Sequence, residues 1–263
     1  MTKIAIFSDI HGNLSALNAF YEDAKKENVD DYWFLGDTFG PGPDVQEVWN
    51  KLLRINPSVR IRGNWEDFLI NAFLKKGDLS DSIKTIENYV IDRLDNPADV
   101  CKVVEEWPLH VEKEVDGVRI GLSHNLPDDN QGDSLSVRAE SINLNKLFEK
   151  KRQNLDIAIF AHIHHPTMRY IDLNCLNNNT VNYDYNKADE RLILNVGSIG
   201  LPFDKPTHLY KEKRAEYLLL EVGNQGDINP QFKRINYDIS CEFENALSFK
   251  LPFRKQYLHL FKI

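Results

Sequence analysis

Five apolar segments along this chain end on side chains that bind metals, and no other feature limits its fold and chemistry as much. KIAIFS (3–8) runs into Asp9-Ile10-His11, DYWFL (31–35) into Gly36-Asp37, and VRIR (59–62) into Gly63-Asn64. VRIGLS (118–123) runs into His124, and DIAIFA (156–161) into His162-Ile163-His164. A single carboxylate or imidazole after a strand is usually a cap or turn residue. Five such endings in succession exceed what turn chemistry requires. In an open α/β sheet the carboxyl ends of strands border the ligand crevice, so these endings would converge on one rim. Of the 8 histidines in the chain, His11, His124, His162 and His164 occupy such endings.

The intervening segments read as helices. NLSALNAFYEDAKKENV (13–29) places Leu14, Leu17, Phe20, Tyr21 and Ala24 near helical spacing, with Asn13 as N-cap. DVQEVWNKLLRI (44–55) is a second helix. Strand, helix, strand, helix, strand is the order of an α/β sheet with parallel pairs. RLILNVGS (191–198), EYLLLEV (216–222) and FKRINYD (232–238) predict further strands. Two inserts interrupt this order: a mostly helical one at 66–108 and a polar loop or hairpin tip at 170–190. No internal repeat and no Gly/Ser/Pro linker divides the chain, which predicts one domain over 1–263.

Composition narrows the function. The net charge of −8 argues against a surface that tracks nucleic-acid phosphates. It leaves room for a small phosphorylated substrate held through metal. No apolar run is long enough to span a membrane. The N-terminal MTKIAIFSD enters a strand pattern without a basic n-region, and Cys101, Cys175 and Cys241 form no paired spacing. Both features predict a reduced, cytoplasmic location.

The strand endings can be sorted by ligand type. Asp9, His11 and His164 would hold one divalent ion; Asn64, His124 and His162 would hold a second. Asp37 would bridge them through its two carboxylate oxygens. Mixed nitrogen and oxygen ligation suits Mn²⁺, Fe or Zn²⁺ better than Ca²⁺. On an extended strand end, His162 and His164 would point the same way. Two ions ~3.5–4 Å apart are a recurrent device for displacement at phosphorus. The ions bind phosphate oxygens, and a bridging water becomes acidic enough to attack in line as hydroxide.

These residues resemble the calcineurin-like metallophosphoesterase superfamily. Its pattern is Asp-x-His, Gly-Asp, Gly-Asn-His-Asp/Glu, His, then Gly-His-x-His. FSDIHGNLSAL and GDTFGPGPDVQEV are most similar to the bacterial branch of small phosphodiesterases and protein-phosphatase-like enzymes, and NVGSIGLP (195–202) resembles the segment that closes the family core. The resemblance runs from residue 3 to about 238. It implies a four-layer αββα sandwich of two mixed sheets, in the α/β class. It implies two divalent ions per chain, Mn first and Fe, Zn or Ni as alternatives. It assigns the seven ligands named above, with Asp37, Asn64 and His124 as the catalytic subset.

Two positions depart from the family pattern. Trp65 stands where a histidine commonly stabilises the transition state or protonates the leaving oxygen, and Ala161 replaces a glycine. Indole cannot titrate near neutral pH. Arg62 and Trp65 are the substrate-binding candidates, with a structural ion pair as the other reading of Arg62. Glu66 keeps the acidic residue of the motif. The Gly-Pro pairs at 40–43 would shape the loop after Asp37 and border the substrate. His165 is expected to face away from His164, and His110, His208 and His259 to be structural. The expected activity is metal-dependent phosphodiester hydrolysis. Its alternatives are a serine/threonine protein phosphatase or phosphomonoesterase, acting on a phosphoprotein or small ester, and a non-catalytic protein-binding scaffold.

Overall fold

The computed structural model describes residues 1–174, 188–202 and 214–261. The chain begins β1 (Thr2–Phe7), α1 (Leu14–Lys26), β2 (Asp31–Phe34), α2 (Val45–Ile55) and β3 (Val59–Arg60). Three helices follow, α3 (Asn64–Leu74), α4 (Asp81–Arg93) and α5 (Pro97–Glu105), in the segment read as helical from its sequence. Then come β4 (His110–Val115), β5 (Val118–Ser123), a short α6 (Ser141–Asn145), β6 (Ile157–Phe160), β7 (Thr167–Asp172) and β8 (Glu190–Asn195). The chain closes with β9 (Ala215–Val222), β10 (Ile228–Ile235), α7 (Ser240–Ser248) and α8 (Arg254–His259).

The strands form two mixed five-stranded sheets, β10-β9-β1-β2-β3 and β4-β5-β6-β8-β7. β1–β2–β3 and β5–β6–β8 are parallel; β9 and β10 complete one edge of the first sheet antiparallel, and β4 and β7 flank the second sheet antiparallel. Period-two alternation along β1 explains the layers. Ile4 and Ile6 join Trp33, Ile120, Ile157 and Leu194 between the sheets. Ala5 and Phe7 turn outward to Leu17, Phe20 and Trp49 of the first helical layer. On the other sheet, Ala158, Phe160 and Ile193 pack outward on Leu144, Leu147 and Phe148. Helix, sheet, sheet, helix is the expected four-layer sandwich.

Local signals account for most helix ends. Asn13 caps α1 by accepting a hydrogen bond from the Ala16 N–H at 2.9 Å. α2 buries Val45, Val48, Trp49, Leu52 and Ile55, an unbroken i, i+3, i+4 stripe, and stops at Asn56 in the left-handed conformation. β4, β7, α7 and α8 are elements that the sequence reading did not anticipate. Most of the polar segment at 170–190, together with Cys175 and His208, lies outside the described residues.

Candidate metal centre

β1 and β2 are parallel neighbours, and their hydrogen bonding continues past the strand ends. Asp9 N–H donates to Gly36 O at 2.9 Å and Ile10 N–H to Asp37 O at 2.8 Å. The segment after β8 clamps the same corner: Ser198 Oγ donates to Asp9 O at 2.9 Å, and Gly200 N–H donates to that carbonyl at 2.9 Å. A Cβ on Gly200 would stand 1.9 Å from Ile10 O, so this approach admits glycine alone. Five of the seven predicted ligands sit in the left-handed region: Asp9, His11, Asp37, His162 and His164, with φ of 56, 49, 62, 66 and 52°. Such conformations cost about 1–3 kcal/mol each and persist where surrounding structure over-determines them.

The seven side chains meet in two groups. Asp9, His11, Asp37 and His164 offer ligand atoms that all lie within 4.8 Å of one another; Asp37, His124 and His162 do the same. Asn64 joins the second group, its Oδ1 lying 3.1 Å from His124 Nε2 and 3.0 Å from His162 Nδ1. Asp37 belongs to both groups through one oxygen. Its Oδ2 lies 3.7 Å from His11 Nε2 and 3.3 Å from His124 Nε2, while Oδ1 accepts the Trp65 backbone N–H at 2.9 Å. The start of α3 holds Oδ1, so Oδ2 is the Asp37 oxygen that faces both groups. The backbone of His162 and His164 differs from expectation: both are left-handed rather than extended, while each falls in the group expected of it.

Backbone carbonyls orient every imidazole. A carbonyl can only accept, so the ring nitrogen beside it must carry the proton. His11 Nδ1 donates to Phe39 O at 3.1 Å, His124 Nδ1 to Leu35 O at 2.7 Å, and His164 Nδ1 to Leu201 O at 2.6 Å. His162 is reversed, with Nε2 donating to Gly132 O at 2.9 Å. Once a ring is neutral, its other nitrogen therefore presents a lone pair to the cluster. His11 Nε2 and His164 Nε2 face each other at 3.1 Å, and His164 Nε2 lies 3.0 Å from the buried Asp9 Oδ1. Lone pairs converging on buried carboxylates require positive charge between them, so this donor set fits divalent cations.

Titration of the cluster agrees with that requirement. Burial disfavours the imidazolium of His124, but Asp37 chiefly, then Asp9, outweighs it and pushes the group up to about 10. Burial likewise opposes the raised His164, and Asp9 outweighs it. Burial alone would raise Asp9, yet the charge of His164 and hydrogen bonds from His11 and His164 hold it well below the usual carboxylate range. His162 is lowered, by burial first and by His124 next. An incoming cation must displace the protons that the carboxylates attract.

Glu66 organises the bridge from behind. Fully buried, it accepts N–H bonds from Asp37 at 2.8 Å and Gly63 at 2.8 Å through Oε2, and from Thr38 at 2.7 Å through Oε1. Burial first, and Asp37 next, push its carboxyl up to about 7. Its place three residues after Gly63, at a helix start, is the acidic half of a capping box; that spacing is the signal which identifies its role. A Cβ on Gly63 would stand 2.2 Å from Asp37 Oδ1, so only glycine lets α3 begin against the bridging carboxylate.

The remaining candidates lie as follows. The half-buried Trp65 ring meets His11 edge-on, with centroids 5.6 Å apart. Pro41, Trp65, Leu201 and Leu260 line a cavity of about 350 Å³ together with five of the cluster residues. Nothing in the sequence pointed to Leu260 or to the orienting carbonyls. Arg62 is absent from that lining; its Nε lies 3.0 Å from Asp67 Oδ1, and Nη1 donates to Glu105 O at 2.6 Å. His165, His110 and His259 belong to neither group.

The profile of the calcineurin-like phosphoesterase superfamily domain matches residues 2–224. An uncharacterized protein of Methanocaldococcus jannaschii is 24% identical over 258 residues, 95% of this chain and 94% of that one. The structure is similar to that of a metallophosphoesterase from Sphaerobacter thermophilus, with a TM-score of 0.67, 24% identity and 96% of each chain covered. It is also similar to a hypothetical protein from Pyrococcus horikoshii, with a TM-score of 0.72, 19% identity, and 96% and 95% of the two chains covered. Two mixed sheets in four layers, an Asp/His/Asn cluster at their strand ends and a profile match over most of its length place this chain in the calcineurin-like phosphoesterase superfamily, as a phosphoester hydrolase.

Proposed function

We propose that the protein is a phosphodiesterase working with two divalent ions, Mn²⁺ first among them. The observation that carries this reading is Asp37 Oδ2, shared between two complete ligand groups on the wall of a half-apolar cavity. Asp9, His11, Asp37 and His164 would hold one ion, and Asp37, Asn64, His124 and His162 the other. Bound divalent ions neutralise phosphoryl oxygens and make water acidic enough to serve as nucleophile near neutral pH.

The chain's own residues supply position and selection. Asn64 opens α3, so the positive end of that helix dipole points where an anionic phosphoryl group would sit. Its amide carries donors that phosphoryl oxygens accept. Trp65 contributes an apolar face and no titratable proton. Protonation of a leaving oxygen is typically worth 10²–10⁴-fold, and the position that commonly supplies it is indole here. Diesters suit such a site because they carry less negative charge than monoester dianions and, with aryl groups, can leave unprotonated. A binding scaffold has no need of seven ligand-capable side chains, four of them imidazoles with carbonyl-fixed tautomers.

The test assays Mn²⁺-loaded protein against phosphomonoesters, aryl diesters, cyclic nucleotides, dinucleotides and phosphopeptides. Hydrolysis of diesters above monoesters, abolished by EDTA and restored by Mn²⁺, is the expected outcome. Fully loaded protein that cleaves none of them would overturn the enzymatic reading. Preference for phosphopeptides would replace diesterase by protein phosphatase.

A further inference from the structure

The family profile ends at residue 224, so α7 and α8 lie beyond it. These helices are nevertheless built into the site. Ala246, Leu251, Tyr257 and Phe261 pack with Leu201, whose carbonyl accepts from His164 Nδ1 at 2.6 Å. Polar contacts pin the pair in place. Asn245 Nδ2 donates to Asp44 Oδ1 at 2.8 Å, Arg93 Nη2 to Phe249 O at 2.5 Å, and the Tyr257 hydroxyl to buried Glu242. The chain leaves α8 at Leu260, which lines the same cavity of about 350 Å³ as the cluster. Leu260 is 40% exposed, so much of its surface remains for a ligand.

We propose that Leu260, together with Trp65, selects phosphate esters by the organic group that the phosphoryl group carries through its ester oxygen, favouring an aromatic substituent over a small alkyl one. The inference rests on the phosphoesterase reading and adds to it a residue from outside the shared family core. The cavity is divided chemically: cluster residues attract a phosphoryl group, while Pro41, Trp65, Leu201 and Leu260 offer apolar surface beside it. An aromatic ring gains from burial against leucine at about 25 cal/mol per Å² and from contact with the indole. A methyl group has too little surface to profit. Because the helices are anchored on Leu201, Asp44 and Arg93, Leu260 is presented by a fixed frame.

Binding of methylphosphonate and phenylphosphonate separates the two contributions, since neither carries a phosphoester bond to hydrolyse. Calorimetric titration of the Mn²⁺-loaded full chain should show phenylphosphonate binding more tightly than methylphosphonate. Leu260→Ala should weaken phenylphosphonate by about tenfold and change methylphosphonate by less than about twofold. Leu260→Met, which keeps apolarity and volume, should retain the wild-type ratio. Metal content and Tm should remain those of the wild type in both variants. An unchanged ratio in Leu260→Ala would overturn the proposal. So would equal weakening of both ligands, or loss of metal, since either would give Leu260 a supporting role only. Failure of the underlying reading looks different: neither phosphonate would bind the metal-loaded wild type.

Discussion

Replacing Asp37 by Asn keeps the side chain's shape but removes the charge that both ligand groups share. Asp37→Asn should therefore abolish nearly all activity and lower the metal content of the purified protein. His165→Ala should cost far less, because His165 belongs to neither group; equal losses from the two variants would contradict the placement. Glu66→Gln turns one acceptor oxygen into a donor facing backbone N–H groups. Its cost in metal affinity should be about 10–100-fold, the usual range for groups that orient ligands, and competition with a chelator measures it. Trp65→His should raise kcat more for poor leaving groups than for p-nitrophenyl esters, provided the imidazole reaches the leaving oxygen. A wild-type rate already insensitive to leaving-group pKa would show that another group donates the proton or that chemistry is not rate-limiting. The seven clustered side chains were legible because each lies in or next to a short motif at a strand end. The left-handed backbone of five of them was not, since nothing in the short motifs marks φ at those positions. Leu35 O, Phe39 O, Leu201 O and Gly132 O were not legible either, because every residue offers a carbonyl.

Helices and strands were legible in proportion to how much each buries. α2 buries five apolar residues at helical spacing and β6 buries all four of its residues, so both stand out in the sequence. β4 and β7 are edge strands; β4 buries none of its residues and β7 only Ile171, with Met168 and Tyr170 exposed, so neither shows a clear alternation. α7 and α8 bury only Glu242, Ala246 and Tyr257, too few to set a period. One buried residue in α4 runs against ordinary patterning. Glu87 is fully buried, and neither carboxyl oxygen has a hydrogen-bond partner. Burial first, and Glu66 next, push its carboxyl well above the usual range, so it is carried neutral. An unpaired buried polar group costs about 1–3 kcal/mol. Glu87→Met, of similar volume, should therefore stabilise the protein and raise Tm; a lower Tm, with the metal centre unchanged, would show that Glu87 is satisfied by a partner in solution.

The whole molecule couples proton binding, metal binding and stability. Glu66, Glu242 and His124 have folded-state values pushed up to about 7, about 8 and about 10, in each case from below. For Glu66 and Glu242 burial is the leading cause; for His124, Asp37 overcomes burial. A group that binds protons more tightly when folded makes stability fall as pH rises between its unfolded and folded values. The window opens at 4.5 for the two glutamates and at 6.5 for His124, and it closes at those raised values. Chelated protein should thus lose stability steadily from about pH 5 to pH 10. Added Mn²⁺ should oppose the trend, because deprotonated ligands bind cations better as pH rises. At about 100 times its Kd an ion contributes about 2.7 kcal/mol per site, so EDTA should lower Tm by several degrees. The most direct measurement is the number and place of the ions: elemental analysis of Mn²⁺-loaded protein, with an anomalous diffraction map. Two ions per chain are expected, both touching Asp37 Oδ2, one beside His11 and His164 and the other beside His124 and His162. A single ion, with His124 and His162 turned away from it, would contradict the two-ion centre.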